Sequence, residues 1–166
     1  MTLIEMLRNE MEHEAQTTRK MLSRVPADKF GWQPHPKSMT MEQLAVHLAE
    51  LPGWAAMALH TDGLDFGEQP YEHLSVSSTT ALLNLFEQSL AEGRAALTNA
   101  TDADLAPTWT LRNGDTIYSS DTKGDVVRVS ISQTIHHRAQ LGVYLRLLDI
   151  PIPGSYGPSA DDPGEW

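Results

Sequence analysis

Residues 124–148 are apolar on most of a helical circumference, and a helix of that kind needs cover on nearly every side. Three other segments can supply it. Residues 3–25 set Leu3, Leu7, Met11, Ala15, Thr18, Leu22 and Val25 at helical spacing, and Pro26 closes the run. A second helix is predicted from Ser38–Thr40, where Thr40 and Gln43 have capping-box spacing. It carries Leu44, His47, Leu48, Leu51, Ala55 and Ala58 on one stripe. Pro52 lies inside that stripe and the apolar period continues past it, so a kink rather than a stop is expected. A third helix runs from about Ser78 to Leu97, with Leu82, Phe86, Leu90, Gly93 and Leu97 aligned. The fold class that follows is all-α, a four-helix bundle around one apolar core with helix four the most buried.

The connections read differently. Phe30-Gly-Trp-Gln-Pro-His-Pro-Lys-Ser is a punctuated loop holding Trp32, an aromatic suited to burial. Residues 60–76 read as an irregular loop. Trp109 to Tyr118 gives two short β-type runs around Asn113-Gly114, a small hairpin or ordered loop. Residues 1–150 form a single domain, and the Pro- and Gly-rich stretch 151–166 is an extended tail, loose or docked.

Composition removes several function classes. The chain has no cysteine, so thiolate ligation and cysteine nucleophiles are excluded, and a reducing compartment fits. A formal charge of −10 without a basic cluster argues against nucleic acid as a partner. The N-terminus is charged by its fifth residue, and no apolar run reaches membrane length, so neither a signal peptide nor a membrane span is expected. These readings point to the cytoplasm. Ile131 and Ile135 lie far round helix four from Gln133 and His137. A homodimer is one way to cover them; the 60–76 loop or the C-terminal tail is the other.

Chemistry concentrates in Gln133-Thr-Ile-His-His-Arg-Ala-Gln-Leu141. Gln133 and His137 are one helical turn apart, about 40° round the axis and roughly 6 Å along it. Two side chains so placed can grip one metal ion, with His47 on a facing helix as the third ligand. His136 is turned about 100° away and reads as a supporting, structural or interface residue, with the ligand role as the alternative. Arg138 and Gln140 read as a salt bridge and a satisfied core amide that lock helix packing. Tyr144 is expected as a packed core tyrosine, and Trp32 and Trp54 as packing groups, with Trp54 a candidate for the pocket wall. The row Glu12-His13-Glu14 cannot converge on one ion, because neighbours on a helix diverge, and it reads mainly as a solvated face.

The His136-His-Arg-Ala-Gln-Leu and Gly142-Val-Tyr-Leu-Arg elements, with the Trp32-Gln-Pro-His-Pro-Lys-Ser loop leading to His47-Leu-Ala-Glu-Leu, resemble the DinB/YfiT-like metalloenzyme superfamily over nearly the whole chain. The resemblance implies a bundle in which three histidines hold a divalent metal, one on the second helix and two at H-x-x-x-H spacing on the fourth. It also implies relatives that are thiol-dependent transferases and isomerases, whose metal activates a low-molecular-weight thiol. Carried over position by position, the ligands fall on His47, Gln133 and His137, and Gln133 departs from histidine. Three readings stay open: Gln133 binds weakly or through water; Glu14 or Glu50 supplies the third arm; or the metal is lost and Gln133 bonds both imidazoles.

Two functions follow. The first is a metal-dependent transferase, isomerase or hydrolase that acts on a small molecule, with a zinc, nickel or iron-like ion and a small thiol as cofactors. The second is a non-catalytic small-molecule-binding or stress-response interaction bundle with a degraded metal site.

Overall fold

The computed structural model describes residues 1–164. The chain is mostly helical, with four long helical arms and a small sheet. Helix α1 spans Leu3–Leu22 and opens on a capping box, in which Thr2 Oγ1 accepts from the Glu5 amide and Glu5 returns a carboxylate to the Thr2 amide. Such a cap is worth about 1 kcal/mol. The Asp102 carboxylate accepts from the amides of Leu3 and Ile4, so a distant turn serves the same helix end. Helix α2, Met41–Glu50, starts on the expected box between Thr40 and Gln43.

Pro52 acts as expected, and the structure shows how the kink is tolerated. Residues Leu51–Gly53 form one 3-10 turn, after which α3 continues over Trp54–His60. Proline cannot donate to the ladder, which leaves backbone groups to be satisfied elsewhere. Ser89 on α4 (Thr79–Asn99) satisfies two of them: its hydroxyl donates to the Glu50 carbonyl and accepts from the Gly53 amide, each at 2.8 Å. Gly93, one turn further, lets the helices close, since a Cβ there would lie 2.2 Å from the Pro52 carbonyl oxygen. Helix α5 covers Lys123–Leu147 behind a Thr122 cap.

The sheet is larger than the expected hairpin. Strands β2 (Thr108–Asn113) and β3 (Thr116–Thr122) pair antiparallel, and a third strand, β1 (Gly63–Asp65), lies parallel to β2 in the order β1-β2-β3. The 60–76 connection is therefore not wholly irregular. Gly63 permits the pairing, because a Cβ there would stand 2.4 Å from the Thr110 carbonyl oxygen. Asp65 then fastens β1 to the hairpin, accepting from the Gly67 and Gly114 amides and pairing with Arg112 at 2.7 Å.

One apolar core joins all four arms, through Leu22, Leu44, Leu48, Phe86, Leu90, Leu141 and Leu145 among others. Burying each such side chain contributes roughly 1.5–3 kcal/mol. The most enclosed arm is α2, six of whose ten residues are buried, rather than α5 with ten of 25. The outer face of α5 stays open, with Val143 58% and Leu147 59% exposed. Ile131 is buried in its own chain's core, and Ile135 packs against that core and beside the tail. The tail is docked over 151–164: Asp161 accepts from the Ile152 amide and pairs with Arg146, while Asp162 accepts from the Gly154 amide. The expected tail also included Glu165 and Trp166, which lie outside the described residues. Among the described residues, no helix is long and apolar enough to cross a membrane.

Candidate functional site

Helix arithmetic put His47 and His137 on inward faces of α2 and α5, and the structure brings them together. Their ring centroids are 4.7 Å apart at an interplanar angle of 77°, an edge-to-face approach. Trp54, the first residue of α3, stands edge-on to His47 at 5.6 Å, so the Pro52 kink swings an indole over the pair. His137 Nδ1 donates to Gln140 Oε1 at 2.7 Å. That bond holds the tautomer in which Nε2 keeps its lone pair.

Both imidazoles are kept neutral. Burial lowers the pKa of His47 below its ordinary value, and the neighbouring His137 and His73 lower it further. Burial also lowers that of His137, opposed by the Gln140 hydrogen bond and assisted by His136. A neutral imidazole is the form that ligates a metal or accepts a proton. His136 is exposed and touches the site only through ring contact with His137, at 4.8 Å. Gln133 is partly buried one turn before His137.

The two carboxylates considered as a third arm are engaged elsewhere. Glu14, read as part of a solvated face, is buried against Arg138. The guanidinium Nη1 touches its Oε2 as an ion pair not aligned as a hydrogen bond, and also donates to the Glu14 carbonyl and Thr18 Oγ1, each at 3.2 Å. Tyr156 of the tail donates its hydroxyl to the other Glu14 oxygen. Glu50 accepts from the Tyr71 hydroxyl at 3.2 Å. Burial raises the Glu50 pKa, a shift the Tyr71 bond and His73 oppose. Burial, with Glu50 beside it, pushes the Tyr71 phenol up to about 12, so it remains a donor. Among the described residues, no three His, Cys, Asp or Glu side chains converge on one point.

Arg138 thus forms the expected salt bridge. Gln140 is not a core amide: it is exposed and orients His137, a role its spacing of three from His137 could have suggested. Tyr144 and Trp32 pack edge-to-face at 5.6 Å, and the Tyr144 hydroxyl donates to the Met39 carbonyl. Tyr71 and His73 escaped sequence reasoning, because they lie in a connection without periodicity.

A helical body that kinks at a proline and sets paired imidazoles between its second and last arms defines a class, and residues 2–165 match the model of the DinB family. The chain belongs to that family. It is similar to the uncharacterized protein YrdA of Bacillus subtilis (strain 168), 25% identical over 160 residues that cover 93% of this chain and 87% of that one. A DinB-like protein from Bacillus cereus has the same fold, with a TM-score of 0.71 at 17% identity, covering 90% of this chain and 95% of that one. The mycothiol-dependent maleylpyruvate isomerase shares the fold more distantly, with a TM-score of 0.58 at 16% identity; 86% of this chain matches 63% of that longer one.

Proposed function

We propose that the chain is a metal-dependent enzyme of the DinB/YfiT-like four-helix-bundle type, acting on a small molecule. The ion, of zinc, nickel or iron kind, would be held by His47 and His137, with Gln133 as a third and weaker donor. The observation that carries this reading is the edge-on approach of two neutral imidazoles, one with Nε2 left as a lone-pair donor. By their chemistry, two imidazoles are strong donors for such an ion and a glutamine amide oxygen is a weak one. An open site of this kind supplies Lewis-acid activation of a water or a thiolate when the metal is bound. Gln140 fixes the His137 ring, Trp54 packs edge-on against His47, and burial favours the unprotonated form of both rings. The shared fold of the mycothiol-dependent isomerase supports a low-molecular-weight thiol as co-substrate, in transferase, isomerase or hydrolase chemistry. We place the reaction in the cytoplasm, a reducing compartment that suits a thiol.

Metal content of protein prepared without a histidine tag tests this. A stoichiometric, chelator-removable ion is expected; His137→Ala should lose it, His136→Ala should keep it, and Gln133→His should bind it more tightly. One observation favours a second reading: among the described residues, no carboxylate completes the site that Gln133 leaves short. In that reading the protein is a non-catalytic small-molecule-binding or stress-response bundle. Wild type would then reject added metal, and Gln133→His would create a site. For either reading we propose a homodimer through the open outer face of α5, where Val143 and Leu147 stand exposed. A monomeric mass by light scattering at micromolar concentration would rule that out.

A further inference from the structure

We propose that the space between the sheet and helices α3 and α5 is a binding cavity for a small planar apolar molecule, uncharged or cationic, from which anions are excluded. The cavity has a volume of about 460 Å³, within the usual range of small-molecule sites.

Its walls explain the class of ligand. Trp54 on α3, Phe66 and Tyr71 on the strap after β1, and Trp109 on β2 line it with aromatic rings, and Val129 of α5 lines it as well. The polar handles of Trp109 and Tyr71 are already engaged. Trp109 Nε1 donates to Thr61 Oγ1 at 3.0 Å, and the Tyr71 hydroxyl donates to Glu50. These two rings therefore offer apolar faces, not hydrogen-bond donors.

Charge supplies the rest. Asp121 is the charged residue of the lining, and no Lys or Arg belongs to it. It stands directly across from Trp109 in the β2–β3 register, so the carboxylate and the indole share one face of the sheet. Aromatic faces attract a cation, and a carboxylate beside them adds to that attraction. An anion would give up its hydration beside the Asp121 carboxylate, with no Lys or Arg in the lining to compensate it. Trp54 both lines the cavity and meets His47 edge-on, so a group extending past it would face the histidine pair.

The inference deepens the reading above, in which that group is the reacting end, but binding can be measured without turnover. Calorimetric titration of the full chain, stripped with chelator, would use naphthol, naphthoate and naphthylmethyl-trimethylammonium as probes. Naphthol and the ammonium probe are expected to bind, with naphthoate at least about tenfold weaker. Val129→Trp, which puts an indole into the lining, should remove binding of all three. Asp121→Asn should weaken the ammonium probe several-fold and leave naphthol unchanged. Naphthoate binding as tightly as the others would overturn the proposal. So would unchanged binding in both Val129→Trp and a second filling variant, Met57→Trp, with circular dichroism as the check on folding. Loss of the metal reading leaves these titrations intact, and their failure leaves the metal titration at His47 and His137 intact.

Discussion

His137 and Arg138 are neighbours on α5, and the roughly 100° between them turns them toward different arms of the helical body. His137 faces α2 and meets another neutral ring, with one nitrogen held by Gln140 and the other left as a lone-pair donor. Arg138 faces α1 and is 2% exposed, surrounded by Glu14, Thr18 and the ring of Tyr156. One side keeps binding capacity in reserve; the other spends nearly all of it within the chain. The contrast separates two kinds of buried polar group, one retained for a visitor and one for architecture.

The comparison can be broken most directly at the closed side. Arg138→Ala strands the Glu14 carboxylate in the core and should cost about 3–5 kcal/mol in urea unfolding. Replacing both partners, Arg138→Met with Glu14→Leu, should recover most of that loss; a double variant as unstable as the single one would show that the pair supplies net stability. Tyr156→Phe removes one hydrogen bond to the same carboxylate and should cost about 1 kcal/mol. On the open side, His137→Ala should lower stability less than Arg138→Ala does while abolishing metal uptake. If the two losses in stability matched, His137 would be architecture as well.

The smallest effect concerns Glu50, at the rim of the open side. Burial raises its folded pKa, so the folded protein disfavours the charged form. Relative to neutral glutamine, that penalty is absent below the ordinary carboxylate pKa and sets in as pH rises through the raised folded value. Glu50→Gln should therefore leave the thermal midpoint unchanged near pH 4 and raise it at pH 7. A lowered midpoint at pH 7 would mean that the Tyr71 hydrogen bond outweighs burial.

The helices were legible because their signals are local. Thr40 and Gln43 mark the start of α2, Pro52 marks its kink, and a 3.6-residue period puts His47 and His137 on inward faces. Glu14 is legible as a residue near the buried face of α1 but not as the partner of Arg138, which lies 124 residues away. Strand β1 is three residues long, too short for any alternation to show, and it exists only because β2 lies beside it. Nothing local in residues 60–76 announces that Tyr71 reaches Glu50. The aromatic cavity inherits both obscurities, since its walls come from β1's neighbourhood and from the hairpin.

That short strand also bears on the order in which the molecule assembles. Gly63 pairs with Thr110, so closing β1 on β2 joins segments that flank the whole of α4, while the helices draw on contacts within a turn. Long loops close late and open early. The β1–β2 amides should exchange with solvent through a local opening well below the energy of global unfolding, while the α2 amides around Leu44 and Leu48 should exchange only through complete unfolding. A cavity walled by the last element to arrive would also be the first part of the protein to breathe.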